Sequence, residues 1–408
     1  MLYILPEIVY EITSFLVMTD KIKCSLVSKM WYDNVELTLE NRRQQLFHAC
    51  KAGDSQVVEA LVKRGTFDPV RDVTALAFAC ENGHTQLVSF LMYNANIHPA
   101  VPWNYAIEYA SRYGHVGVVD LLLNDSRVDP AAGDNNSIAL ASDYGHIDVV
   151  RLLLNDPRVD PAANNNRAIK YASYNGHVDV VRLLLEDPRV SPTANNNEAI
   201  ELSSANGQVG VVEILLNDPR VNPAANNDET LHCACNYGHV DVVMILLQDP
   251  RVDPTARNNC SFQCACNHGH VDVIKILLQD PRVDPTANDN YSLRAASYYG
   301  HVDVLKLLLN DALVNPAANN NGAIMMASLE GQADAVSLLL NDPRVDPTAG
   351  NNVSLALASR HGHIGVVKVL LNDPRVVPDD YAIEVASENG HTAVVEFLLK
   401  DLRVEIAR

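Results

Sequence analysis

Residues 164–190 read Asn164-Asn-Asn-Arg-Ala-Ile-Lys-Tyr-Ala-Ser-Tyr-Asn-Gly-His-Val-Asp-Val-Val-Arg-Leu-Leu-Leu-Glu-Asp-Pro-Arg-Val190. Ile169, Ala172 and Ser173 stand at i, i+3 and i+4, the spacing of one buried helical stripe. Gly176 interrupts that pattern. Val178, Val180, Val181, Leu183, Leu184 and Leu185 then form a second apolar run. Its polar members, Asp179, Arg182 and Glu186, fall on one outward helical face. Pro188 stops it, because proline has no N–H and disfavours helix in the residue before it. The stretch predicts two short helices joined at Gly176.

The same pattern runs through most of the chain. The equivalent glycines are Gly53, Gly83, Gly114, Gly145, Gly176, Gly207, Gly238, Gly269, Gly300, Gly331, Gly362 and Gly390, spaced by 30, then 31 nine times, then 28. Eighteen of the twenty prolines occupy two phases of this period and act as punctuation. A pair of short helices cannot bury its apolar faces alone. Stacked pairs can, which explains a chain of 408 residues without several separate cores.

The unit resembles the ankyrin repeat over roughly residues 42–408. The resemblance rests on the Ala-Ser/Cys pair, Gly-His, and Val-Val-x-Leu-Leu-Leu. It implies an all-α solenoid of about twelve helix-turn-helix repeats of 31 residues, a binding protein and not an enzyme. Two departures stand out. The family's Thr-Pro-Leu-His opening becomes forms such as Arg-Ala-Ile-Lys at 167–170, and its Gly after the second helix is mostly Asp-Pro-Arg here. Repeats with Asp-Pro-Arg-Val-Asp-Pro resemble those of amoebae and their giant viruses.

Residues 1–41 do not fit the period. Leu5-Pro6-Glu7-Ile8, Ile12, Phe15-Leu16, Asp20 and Leu26-Val27-Ser28-Lys29-x-Trp31-Tyr32 resemble an F-box in order and spacing. F-boxes dock on a Skp-type adaptor that joins them to a cullin ubiquitin ligase. The resemblance implies that Leu5, Pro6, Ile8, Ile12, Leu16, Leu26, Val27 and Trp31 form or support that surface. The other reading is a hydrophobic lid on the first repeat, since solenoids need capped ends.

Charge and motifs exclude other classes. The formal charge is −19, from 50 acidic and 31 basic residues, with no Lys/Arg cluster to meet a phosphate backbone. Neither nucleic acid nor an anionic membrane is therefore expected as a partner. The apolar start lacks the basic segment of a secretory signal, and no run reaches transmembrane length, so a cytoplasmic, reducing location is expected. No Gly-rich phosphate loop, metalloprotease His pair or nucleophilic Ser elbow appears.

Cys233-x-Cys235 and Cys264-x-Cys266 could offer four thiolates to zinc. The period gives another reading. Cys50, Cys80, Cys235 and Cys266 fill a slot that holds Ser in the other eight units, and Cys packs as a small apolar residue. No metal or cofactor is expected. Nine of the fourteen histidines follow the repeat glycine, where hydrogen bonding at the start of the second helix is expected of them.

Slots that vary between units mark a candidate target surface on the first helices. They hold Tyr105, Glu108, Arg112, Tyr113, Tyr144, Arg167, Lys170, Tyr174, Glu198, Glu201, Tyr237, Arg294 and Tyr298. Tyr and Arg are enriched at binding hot spots. The monotonous Ala-Asn-Asn tips read instead as plain connectors, and substitution of Asn165 is expected to change stability by no more than about 0.5 kcal/mol.

Overall fold

A computed structural model describes residues 42–64, 72–101 and 104–400. The F-box-like residues Leu5 to Trp31 lie outside the described residues. The chain divides into two compact units. The first comprises Met1–Ala172 with Arg182–Val190, the second Ser173–Val181 with Ser191–Arg408.

Both are all-helical among the described residues and built from the expected helix pairs. In the first unit, 42–52 pairs with Ser55–Lys63, Val73–Glu81 with Thr85–Tyr93, Tyr105–Arg112 with Val116–Leu123, and Ala132–Asp143 with Ile147–Asn155. Ala163–Asn175 and Val178–Glu186 form the next pair in sequence. Seven pairs follow in the second unit, from Ala194–Ala205 with Val209–Asn217 to Asp380–Glu388 with Thr392–Leu399.

Burial follows the period. Ile169, Ala172 and Ser173 are buried, and so are Val180, Val181 and Leu184. Asp179, Arg182 and Glu186 are exposed. In the second unit one core runs unbroken from Val212 to Leu398. Each fully buried aliphatic side chain there contributes roughly 1.5–3 kcal/mol.

Three polar devices recur between neighbouring pairs within the units. The first is the repeat histidine. The His146 Nε2 donates to the Arg112 carbonyl at 2.8 Å, and that of His270 to the Asn236 carbonyl at 3.0 Å. Gln208 and Gln332 make the same bond with their amides. The histidines thus serve the preceding unit. They do not cap their own helix, at whose N-terminus they make no side-chain hydrogen bond.

The second device is the Asp-Pro-Arg sequence. Asp249 accepts the Arg251 backbone N–H at 2.9 Å and grips its guanidinium through both oxygens. The remaining guanidinium hydrogens go to the carbonyls of Val221 and Leu216, 30 and 35 residues earlier. Arg158, Arg189 and Arg344 repeat this arrangement in full. Where the family's glycine would free the backbone, this chain supplies an arginine that ties it to its neighbour. The arginine also holds each aspartate below the usual carboxylate range.

The third device corrects the reading of the loop tips. Asn319, Asn320 and Asn321 all have left-handed backbones, with φ of 53°, 56° and 62°. The same triplet recurs at 164–166, 195–197 and 288–290. Ordinary L-residues lose about 1–2 kcal/mol each in this region, which Asn and Asp tolerate best. The third member is buried, and its carboxamide oxygen accepts the backbone N–H 25 residues on. Asn321 accepts from Asp346 at 2.7 Å, and Asn290 from Asn315 at 2.9 Å. Backbone conformation and a half-buried hydrogen bond therefore select the monotonous tips. Asn165 has a φ of 56°, so residues that tolerate a left-handed backbone suit its position best.

Candidate protein-interaction face

The varied slots lie on the first helix of each pair and on the turn that ends it. In the first unit Tyr105, Tyr113 and Tyr144 are exposed. Arg112 lies across two of them. Its Nη2 donates to the Tyr144 hydroxyl at 2.7 Å, and its guanidinium stands 5.1 Å from that ring and 5.7 Å from Tyr113. Tyr144 in turn stacks on the imidazole of His146, the residue that binds the previous unit. The exposed aromatic is thereby set on a fixed support.

A second group joins three successive first helices. Arg167 donates to Asn136 at 3.3 Å and lies 4.8 Å over the Tyr171 ring. Asn136 also bonds Glu108. Burial pushes the Glu108 carboxyl above its ordinary value, and Asn136 and Arg167 pull it back. Lys170 is half-buried on the same helix as Arg167. Asn136 was not singled out in the sequence, although it shares the slot of Tyr105 and Arg167.

In the second unit Tyr174 and Tyr237 are exposed. Glu198 accepts from Asn195 at 2.8 Å and Glu201 from Asn226 at 2.7 Å. Burial raises the Glu201 carboxyl, against that hydrogen bond. Arg294 donates to the backbone carbonyls of Asn288 and Asp289 and faces the Tyr291 ring. Tyr298 meets Tyr299 edge-on at 5.0 Å and bonds Glu330. Tyr299 is the more exposed of the two. Four of the named residues, Glu198, Glu201, Arg294 and Tyr298, are thus held by neighbours, while Tyr174 and Tyr237 present their rings to solvent.

Cys235 and Cys266 are fully buried in the core, as the Ser slot requires, with thiols driven far above their ordinary range by burial. Cys233, Cys260 and Cys264 are only half-buried. Cys264 lies 3.9 Å from the His232 Nε2. Burial first, and then Cys260, push its thiol up to about 12, so it is no ready nucleophile.

Seven overlapping segments, from 16–101 to 325–407, match the family described as Ankyrin repeats (3 copies). The chain belongs to the ankyrin-repeat family. The human ASB11 ankyrin repeat domain is one similar solved structure, with 16% identity over 49% of this chain and 96% of that one and a TM-score of 0.42. No curated protein matches. Ankyrin repeats are protein-binding scaffolds. No helix among the described residues is long and apolar enough to cross a membrane.

Proposed function

We propose that this ankyrin protein is the substrate-recruiting subunit of a Skp–cullin–F-box ubiquitin ligase. Residues 5–32 join it to a Skp-type adaptor, and the first-helix faces hold a target protein. It supplies no catalytic residue. The observation that carries the binding role is a contrast between slots. Four residues before each repeat glycine the chain keeps Ala, or Ser203 once. The slots next to the glycine vary and carry exposed Tyr113, Tyr144, Tyr174, Tyr237 and Tyr299. The link to a ligase rests on the F-box resemblance of Leu5, Pro6, Ile8, Ile12, Leu16, Leu26, Val27 and Trp31.

A second reading is favoured by one finding. The family match begins at residue 16, inside the F-box-like segment, as it would if that segment capped a plain scaffold. Titration of a purified Skp-type adaptor into wild type and a Leu5→Ala/Pro6→Ala variant separates the two. The ligase reading expects wild-type binding, weakened by about a hundredfold or more in the variant, as loss of buried aliphatic contacts implies. Repeat stability should be unchanged. Wild type that ignores the adaptor, with a variant that melts earlier, leaves the scaffold.

A further inference from the structure

His232, Cys260 and Cys264 come from consecutive first helices, Ala225–Tyr237 and Ala256–His268. Cys260 and Cys264 are four residues apart, so their thiols share one helix face. His232 meets that face from the helix before. The three ligand atoms all lie within 4.8 Å of one another, and Cys264 Sγ is 3.9 Å from His232 Nε2. All three residues are half-buried, close enough to the surface for an ion to enter. The His232 Nδ1 is buried without a hydrogen-bond partner.

We propose that His232, Cys260 and Cys264 bind a thiolate-preferring divalent cation of the zinc class, clipping two neighbouring repeats together. Zinc holds sulfur at about 2.3 Å and imidazole nitrogen at about 2.0–2.1 Å, which puts tetrahedral ligand atoms roughly 3.5–3.8 Å apart. The His232–Cys264 separation is already near that value, and side-chain rotation closes the rest. Two cysteines and one histidine leave a fourth position for water. Both thiols release their protons to solvent as the metal binds. Glu229, one turn before His232, adds negative charge around the cluster while its carboxylate is paired with Arg257 at 2.6 Å. The expectation of no metal was drawn from Cys235 and Cys266, which face the core. The cluster excludes both and includes Cys260, which belongs to neither Cys-x-Cys pair.

The test is titration of the reduced, chelator-treated full chain with cobalt(II), followed by zinc competition. A thiolate-to-cobalt charge-transfer band saturating at a single ion per chain is expected. Zinc should abolish it. The band should vanish in Cys264→Ser and Cys260→Ser, and His232→Asn should weaken binding by more than about tenfold. Cys233→Ser, next to the cluster and bonded to Glu229, should keep it. Circular dichroism melts confirm that each variant is folded, and zinc should raise the wild-type melting temperature alone. Absence of the band, or a band that survives Cys264→Ser or His232→Asn unchanged, would overturn the site.

Discussion

The imidazole of His270 lies so close to Gly238 that a Cβ on that glycine would fall 2.6 Å from its Nδ1. Gly238 also has a φ of 77°. Two demands therefore converge on one residue, a left-handed turn and room for the next unit's ring. The Gly238→Ala variant should lose about 1–3 kcal/mol from the backbone strain and the clash together. Adding His270→Ala should recover the clash and leave the strain. Denaturant melts of the four proteins give this double-mutant cycle. Equal losses with and without the histidine would show that the ring plays no part.

The asparagine triplets make a positional prediction. Asn321→Ala removes the acceptor of the half-buried Asp346 N–H and places Ala at a φ of 62°, which together should cost about 1–3 kcal/mol. Its exposed neighbour Asn320 needs only a left-handed backbone, so Asn320→Gly should stay within about 0.5 kcal/mol. Chemical denaturation of both variants ranks them.

Asp228 occupies the slot of Asn197 and Asn259, and is as buried as they are. It accepts the Asp253 N–H at 2.9 Å as they accept theirs, but burial raises its carboxyl above the ordinary value. A raised acid costs stability while it is charged, above its folded pKa, and the cost fades as pH falls toward the ordinary Asp range. Asp228→Asn should therefore stabilise at neutral pH by about 0.5–2 kcal/mol. Its advantage should shrink in acid. Thermal melts at neutral pH and near pH ~4 test both halves.

The Asp-Pro-Arg clamps carry the opposite sign. The Asp249 side chain is only 12% exposed, and Arg251 holds its carboxyl below the usual range. Such a group stabilises above the unfolded pKa of about 3.9 and loses that contribution as pH falls through its lower folded value. Replacing Arg251 by Ala should cost roughly 1–3 kcal/mol at neutral pH, allowing for the clamp's partial exposure. The deficit relative to wild type should narrow below about pH 4. A deficit independent of pH would mean that the carbonyl bonds to Val221 and Leu216 carry the whole effect.

Ala265 stands four residues before Gly269 and is fully buried. Enlarging it to Phe should overpack the core by about 1–3 kcal/mol or more, measurable by urea unfolding. Tolerance of Phe there would mean the slot has slack that its unvarying small residue does not suggest.

Helices, core and repeat boundaries were legible because apolar spacing and Gly–Pro punctuation report backbone geometry directly. Ile169, Val180 and Leu184 fell where the period put them. Fastening between units was not legible. His270 bonds Asn236, 34 residues earlier, and nothing in local spacing says which carbonyl a ring will reach. Asn321 looked like loop filler because its role depends on a left-handed turn made by three residues together. Variation between slots pointed to Tyr113 and Tyr144, which are exposed, but not to Asn136, which joins Glu108 to Arg167. Cys260 and Cys264 share a helix face at i and i+4, but His232 meets them only once successive helices are stacked.

Across the 31-residue repeats of the second unit the bonds between neighbours keep the same sequence offsets, 25 residues for the asparagines, 30 and 35 for the arginines, and 34 for the histidines; only the shorter last repeat brings the His391 bond to 31. Removing 31 residues from within these repeats joins donors to acceptors at the same offsets across the junction. Removing 30 or 32 breaks that match there. A change of length by whole 31-residue steps therefore preserves the bonding, and each step alters which tyrosines, arginines and acids stand side by side. Unequal crossing-over between similar repeats would reshuffle the first-helix faces while leaving the fold untouched.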